Sequence, residues 1–361
     1  SALRIALNWQ ALEPEPGSWN QDASAVYRAF FNDLSARGIT PFVTLFQGQL
    51  PHWFHEEGGR LGDGALERCR SFVAHAVGEF KAVRHWITME TPLYYALLSS
   101  MKGQIYPALT DASSFKGILG NLMRAHRAAC EQVHEIQAGS AAGLTLWYWP
   151  AAGDRSGRGQ MREMLEFYRT GRFKRLGISL GTSDLEVGDF LGKNFPSLGV
   201  YSSSGWIEPQ ELPSPASRSD AFYEELTVVN QQHLLSAMEW GRSLKPEIYL
   251  TRHTVFQPEA LLQKLMVLST IRSLWKAVNE SWPVRGYFHH DLGGRLPPGS
   301  GAGLWHDASR GEMALAPAGE VYRDICSAGG ISSTMGQEHA AEMFDYFFPG
   351  RGARDISMNM R

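Results

Sequence analysis

Short apolar runs recur along the chain, and longer stretches with apolar residues at helical spacing lie between most of them. The runs predict strands at 3–9, 41–46, 85–91, 142–149, 189–195, 247–253 and 285–292. The intervening stretches predict helices at 23–37, 68–80, 115–136, 162–169, 221–241 and 259–279. Near-continuous apolar character is typical of strands buried on both faces. Strands that alternate with helices indicate a parallel sheet with crossover connections.

The predicted strands are one fewer than the eight of a (β/α)8 barrel, which is the α/β fold class that we predict. The missing strand would be the first one, preceding Leu3. Because an open barrel leaves two unpaired strand edges, we expect closure by sequence upstream of Ser1, by another chain or by the C-terminal tail. We assign residues 1–330 to the barrel and 331–361 to a C-terminal extension, in which 338–348 has helical spacing. That helix would pack on its own barrel or dock on a partner.

Charge and composition exclude several classes of function. The formal net charge is −3 and the pI is near 6.5, so no general basic face predicts nucleic-acid binding. No run reaches the roughly 18 apolar residues that span a bilayer. Three widely spaced cysteines form no disulfide framework. No motif predicts a cofactor, and the compartment is left open, with a soluble, cytoplasmic protein as the default.

Several segments match sequence motifs of a known family. The run LRIALNW at 3–9 is similar to RFSISW, and GITPFVTL at 38–45 to GI.P.VTL, and in both the chain resembles glycoside hydrolase family 1, the β-glucosidase family. Further along, DFLGKNF at 189–195 resembles DFIGINYY, VRGYF at 284–288 resembles VRGYFYWS, and Glu57-Gly58-Gly59 matches the start of YGGW. These matches occur in the family's order across most of the chain, so the resemblance supports the barrel prediction.

The resemblance implies a retaining mechanism, in which two carboxyl groups about 5 Å apart act as acid and nucleophile. The family's acid lies in TLNEP, where this chain has Thr88-Met89-Glu90-Thr91-Pro92. Thr91 therefore stands at the acid's place, and Arg252 stands at the nucleophile's place in ITENG. Threonine cannot supply that proton near neutral pH, and an arginine is always protonated and cannot attack. We therefore predict no catalytic residue.

Other family positions suggest a remodelled pocket. Gln47 and Gly48 replace a His-Trp pair, Pro196 replaces a tyrosine and His290 replaces a tryptophan, whereas Arg4 and Asn194 persist. As a candidate remodelled or ligand-binding site we take Arg4, Gln47, Glu90, Asn194, Arg252, His253, His290 and Asp291.

Glu90 raises two further possibilities. Side chains alternate along a strand, so a carboxylate one residue before the acid position points elsewhere unless a bulge intervenes. With a bulge, Glu90 and Asp291 could be the two carboxyl groups of an inverting reaction. Alternatively, Glu90 and Arg252 form an ion pair that replaces the catalytic pair.

Histidines near the same strand ends could ligate a metal, but we predict none. Adjacent His289 and His290 point to opposite faces of their strand, and Arg252 would repel a cation. Histidines that fill the vacated space and bond to their neighbours are the simpler interpretation.

The function that the sequence predicts is a catalytically inactive glycosidase-like barrel, serving as a structural or interaction subunit or as a binding module. The alternative is a glycoside hydrolase or related carbohydrate-active enzyme with an altered catalytic centre. The first interpretation predicts other protein chains as partners, and both leave room for a carbohydrate ligand.

Overall fold

The computed structural model describes residues 1–100, 103–148, 172–173, 178–179, 198–202, 238, 248–253, 260–289, 304–309, 312–330 and 335. The strands are β1 Ala2–Ala6, β2 Thr40–Phe46, β3 His85–Glu90, β4 Ala141–Tyr148, β5 Arg172–Phe173, β6 Ile178–Ser179, β7 Leu198–Ser202, β8 Ile248–His253, β9 Val284–His289, β10 Trp305–Ser309 and β11 Glu312–Leu315. The helices are α1 Trp9–Leu12, α2 Gln21–Ala36, α3 His52–Glu56, α4 Ala65–Glu79, α5 Pro92–Ser100, α6 Ala112–Ile136, α7 Ala260–Asn279 and α8 Pro317–Ala328, with a 3-10 turn at Gly59–Leu61.

The main sheet has the strand order β1-β2-β3-β4-β7-β8-β9 in the part of the chain that the structure describes. The first three pairings are parallel, as predicted. The ring of Phe42 on β2 lies 4.2 Å from His85 on β3, 5.2 Å from Tyr249 on β8 and 4.9 Å from Phe288 on β9. A side chain near one end of the strand order thus touches side chains at the other end, so the sheet curls into a barrel around these rings.

Six of the seven predicted barrel strands coincide with observed strands, and the end of the first one needs correction. Trp9 does not end a strand but opens α1, because the side chain of Asn8 accepts a hydrogen bond from Ala11 N–H and caps a helical turn. The predicted strand at 189–195 lies outside the described residues, and the strand between β4 and β8 in the sheet is β7, Leu198–Ser202.

Aromatic side chains pack the region where β1 and β2 end. The ring of Trp9 lies within 6 Å of the rings of Phe46, Trp53, Phe54 and Phe72. Its indole N–H donates to Glu13 Oε2 at 2.6 Å, so its polar atom is satisfied inside the core. This packing fixes the ends of the first two strands against α3 and α4.

Side-chain caps mark the starts of α2 and α6, and a glycine follows the end of α2. Asn20 accepts hydrogen bonds from Asp22 and Ala23 at the start of α2, and Gly38, with φ 70°, follows its end. Asp111 caps α6 by accepting from Ser114 N–H at 2.7 Å. The apolar face of α6 is buried, and the helix packs against α4. No helix among the described residues is long and apolar enough to cross a membrane.

The chain divides into two compact units. The first comprises Ser1–Tyr201, Glu239–Thr251 and Arg285–Phe288, and the second comprises Ser202–Met238, Arg252–Val284 and His289–Arg361. In the second unit α7 packs on α8 through Leu268, Val321 and Ile325. Met335, the one described residue of the predicted C-terminal extension, also packs against this cluster, while the predicted helix at 338–348 lies outside the described residues.

Candidate functional site at the strand ends

The first part of β3 follows regular alternation. His85 stacks on Phe42 inside the barrel, at 4.2 Å between ring centroids. Trp86 points the other way, and its indole N–H donates to Gln137 Oε1 at 3.1 Å. Thr88 also faces α6, where its Oγ1 lies 2.6 Å from His126 Nδ1. If this alternation continued, Glu90 would point toward the helices, away from Phe42.

A bulge interrupts the alternation before Glu90. Ile87 pairs with Gly143 on β4, and the next paired residues are Glu90 and Thr145. Three residue steps on β3 thus oppose two on β4, which is the pattern of a β-bulge. A bulge changes the direction of the side chains that follow it. The bulge that an inward-facing Glu90 requires is therefore present in β3.

Glu90 forms an ion pair with Arg4, a residue that the family resemblance led us to expect in the site. Arg4 Nη2 lies 3.1 Å from Glu90 Oε2, and the two side chains are 11% and 6% exposed. Arg4 also donates to Thr44 Oγ1 on β2, from Nε at 3.3 Å and from Nη2 at 3.2 Å. Three strands therefore contribute to one buried polar group inside the barrel. The ion pair predicted between Glu90 and Arg252 stays a prediction.

Thr91 follows the bulge in a strained backbone conformation. Its φ is 44°, in the left-handed region that a β-branched residue rarely adopts. Its N–H donates to Thr145 O at 2.9 Å, and its carbonyl accepts from Tyr95 N–H at 3.0 Å, which holds the chain as it enters α5. Such strain costs of order 1–3 kcal/mol and tends to occur at functional sites.

The neighbouring loop after β2 contains Gln47 and Gly48. Gln47 is exposed. Gly48 has a φ of 111°, and a Cβ placed there would lie 3.9 Å from the ring of Tyr95. The backbone conformation rather than lack of space therefore favours glycine at this position.

The remaining predicted site residues are only partly within the described chain. Arg252 and His253 are the last two residues of β8. Asn194, His290 and Asp291 lie outside the described residues. The ring of His289 lies 5.7 Å from that of Tyr322 on α8. Among the residues that the structure describes, no group of three or more His, Cys, Asp or Glu side chains is arranged to hold a metal ion.

His126, beneath Thr88, is a buried base outside the predicted set. Thr88 donates its hydroxyl proton to Gly143 O at 3.0 Å, so the imidazole Nδ1–H donates to Thr88 Oγ1. Burial lowers the pKa of His126 from 6.5 to about 3. The imidazole therefore stays neutral over the physiological range and supports β3 against α6.

Sequence reasoning missed Arg60, a buried arginine in the 3-10 turn. It is 6% exposed, and its guanidinium lies 5.5 Å from the ring centroid of Phe46 and 5.4 Å from that of Tyr95. Burial raises the pKa values of the Cys69 thiol and the Tyr95 hydroxyl, and the nearby Arg60 charge opposes both shifts. One signal could have revealed this residue: Arg60 follows Gly58-Gly59, where the family's YGGW has tryptophan.

Comparison with known proteins supports the resemblance noted in the sequence. The sequence profile described as Glycosyl hydrolase family 1 matches residues 1–163. This part of the chain is thus similar to glycosyl hydrolase family 1. Beta-glucosidase A of Thermotoga maritima is 24% identical over 335 residues, which is 80% of this chain and 72% of that protein. "Probable inactive beta-glucosidase 25" of Arabidopsis thaliana is 35% identical over 101 residues, 26% of this chain and 19% of that protein.

Solved structures of family members show the fold. The Thermotoga maritima beta-glucosidase in complex with deoxynojirimycin has a TM-score of 0.71 at 22% identity, covering 92% of this chain and 84% of that chain. Since family 1 β-glucosidases are (β/α)8 barrels, the predicted fold class is confirmed.

Proposed function

We propose that this chain is a glycosidase-like barrel that does not perform retaining hydrolysis and serves as a binding module or interaction subunit. The observation that carries the proposal is the buried ion pair between Arg4 and Glu90. Glu90 is the carboxylate nearest in sequence to the family's acid position, and here it contacts the guanidinium of Arg4. A catalytic acid instead needs surroundings that favour its protonated form.

The residues at the two aligned catalytic positions support the same proposal. A retaining reaction needs a proton donor and a nucleophile on opposite sides of the sugar's anomeric carbon. By the family resemblance, Thr91 and Arg252 occupy these places, and neither side chain can perform the required step. The name of the Arabidopsis relative agrees with this proposal, since that protein is described as inactive.

Carbohydrate is the ligand class that we propose for the binding role. The relatives are named as β-glucosidases, and a pocket that lost its acids can keep polar groups that contact sugar hydroxyls. We assign that role to the remodelled set of Arg4, Gln47, Glu90, Asn194, Arg252, His253, His290 and Asp291.

The decisive experiment is a hydrolysis assay on a panel of chromogenic aryl β-glycosides, with the Thermotoga maritima enzyme as positive control. We expect no release of the aryl alcohol by the wild type above the rate of its Glu90→Gln variant. Titration calorimetry with the corresponding free sugars then tests binding without turnover. Clear hydrolysis by the wild type that disappears in Glu90→Gln would overturn the proposal.

An enzyme with an altered centre is the second candidate, and the bulge in β3 favours it. The bulge places a carboxylate on the face that carries Arg4, so one acidic group does lie inside the barrel. An inverting reaction would need a second carboxyl group roughly 6.5–9.5 Å away, for which Asp291 is the candidate. This alternative predicts that Glu90→Gln and Asp291→Asn each abolish turnover, with inversion at the anomeric carbon detectable by NMR.

The interaction-subunit form of the proposal is tested by the size of the particle in solution. If the barrel serves in an assembly, we expect the purified full-length chain to sediment as a multimer or with a defined second chain. A monodisperse monomer that binds sugar would favour the binding-module form instead.

A further inference from the structure

A pocket separate from the Arg4–Glu90 pair lies between the 3-10 turn, the start of α4 and the outer face of α6. Its volume is about 290 Å³. Apolar parts of Leu61, Leu66 and Ala125 form much of its wall. The polar groups along its wall come from Arg60, Asp63, Asn121 and Arg124. The pocket therefore combines an apolar wall with a small number of charged groups, as ligand sites commonly do.

Arg60 is the group that the protein itself leaves incompletely satisfied. Its guanidinium lies near the rings of Phe46 and Tyr95 and is hydrogen-bonded with the Cys69 thiol and the Tyr95 hydroxyl. These partners are neutral, and no carboxylate of a described residue pairs with it. Its Nε is buried and has no hydrogen-bond partner in the described part of the chain. An arginine cannot lose its proton to relieve this situation. A buried cation of this kind is stabilised by an anion that enters the pocket.

One pocket residue, Asn121, contacts both arginines. Its side-chain amide donates to the carbonyl oxygen of Arg60 at 2.5 Å, and Arg124 Nη2 donates to Asn121 Oδ1. Asn121 thus links the backbone of one arginine to the side chain of the other, which reduces the ordering needed on binding.

The backbone at the start of α4 adds positive potential to the pocket, and one aspartate opposes it. Helix α4 begins beside the pocket with no side-chain cap on Gly64, so its first N–H groups and its dipole add positive potential. Asp63 also lines the pocket and acts against an anion. Arg60, Arg124 and Asp63 are the charged residues that line the pocket.

We propose that this pocket binds a small oxyanion, the phosphate or carboxylate group of a small molecule, with Arg60 as its buried counter-charge and Arg124 at its rim. The proposal is independent of the reaction inside the barrel, because neither Arg4 nor Glu90 lines the pocket. The apolar wall suits a ligand whose body carries a few carbon atoms beyond the anionic group.

The test is titration calorimetry of the full chain with inorganic phosphate and, separately, with a short carboxylate such as butyrate, at constant ionic strength. For at least one of the two anions, we expect a saturable heat for the wild type. Binding should weaken at least tenfold in Arg60→Met and a few-fold in Arg124→Gln. Arg127→Gln is the matched control, since Arg127 lies on the same helix, pairs with Glu131 and does not line the pocket.

Each outcome decides the proposal. Arg60→Lys keeps the charge and should keep measurable binding, so it guards against loss of binding through misfolding of Arg60→Met. Equal affinity of the wild type and Arg60→Met would overturn the proposal, and so would the absence of any heat beyond that of a matched chloride titration. Binding of butyrate but not phosphate would identify carboxylate as the ligand group, and the reverse result would identify phosphate.

Discussion

Arg4 and Arg60 are both buried in the first unit of the chain, and they differ in what surrounds their charge. Arg4 has a carboxylate at 3.1 Å and a threonine hydroxyl that accepts from two of its nitrogens. Arg60 has two aromatic rings, a nearby thiol and no carboxylate partner among the described residues. The first arrangement neutralises a buried cation within the protein, whereas the second leaves room for an external anion.

His126 shows a third way to bury a basic group. Its pKa falls to about 3, so the ring is neutral when the protein is folded. An arginine does not have this option, because it keeps its proton in proteins. The comparison therefore distinguishes a buried base that is neutral in the folded protein, His126, from a buried cation that an external anion would stabilise, Arg60.

The largest effect should follow loss of the carboxylate beside Arg4. Glu90→Leu should lower the free energy of unfolding by about 3–5 kcal/mol, since an uncompensated charge is left inside the barrel. Urea denaturation measures the change. Glu131→Leu is the control, because its ion pair with Arg127 is exposed and contributes at most about 1 kcal/mol. The double variant Arg4→Met with Glu90→Leu should recover most of the loss, and a Glu90→Leu protein as stable as the wild type would contradict the assigned pairing.

Acidification should next distinguish the neutral histidine from the two arginines. The folded protein keeps His126 unprotonated down to about pH 3, while the unfolded chain binds a proton near 6.5. Stability contributed by this residue is therefore complete above pH 6.5 and is lost at about 1.4 kcal/mol per pH unit as the pH falls toward 3. Urea denaturation can be repeated at several values from about pH 7.5 to about pH 4.5, a range that includes the pKa of the unfolded chain. The free energy of unfolding should depend less steeply on pH in His126→Gln than in the wild type. Parallel slopes would show that the imidazole is protonated in the folded state.

Replacing Arg60 should change stability in the opposite direction to replacing Arg4. Arg60→Met should raise the free energy of unfolding by about 1 kcal/mol in buffer without oxyanions, because it removes a desolvated charge that lacks a carboxylate partner. Arg4→Met should lower it, since Glu90 then loses its cation. A loss of stability in Arg60→Met as large as that in Arg4→Met would mean that the aromatic rings compensate the charge fully.

The smallest effect concerns the hydroxyl beside Arg4. Thr44→Val keeps the shape of the side chain and removes the acceptor of two guanidinium hydrogen bonds. We expect a loss of about 1 kcal/mol in urea denaturation, smaller than that of Glu90→Leu. An equal loss of unfolding free energy in the two variants would show that Thr44 stabilises Arg4 as much as the ion pair with Glu90 does.

The barrel could be predicted from the sequence, because strands buried on both faces form recognisable runs of apolar residues. In β2, for example, six of seven residues are buried. It did not predict the inward position of Glu90. Alternation can be read from one strand, but a bulge depends on the pairing of β3 with β4, about 50 residues further along the chain. From the sequence alone, we could conclude only that an inward-facing Glu90 requires a bulge.

Arg60 was missed for a related reason. A charged residue after two glycines is typical of a solvated turn, and the one sign of burial in the turn is that the family has tryptophan at this position. Its burial results from Phe46, Cys69, Tyr95 and Asn121, which come from four different elements and meet only in the fold. The departure from the family's tryptophan was visible, but its consequence was not.

The bulge in β3 separates the strand into two parts that can change independently. Before it, Trp86 and Thr88 are committed to α6, and a substitution there disturbs the scaffold. After the bulge, the side chain of Glu90 contacts Arg4 inside the barrel and does not pack against α6. Evolution could therefore rewrite the chemistry at positions 90 and 91 while the supporting layer stayed intact, and a protein engineer who wished to install a new reaction here would have the same freedom.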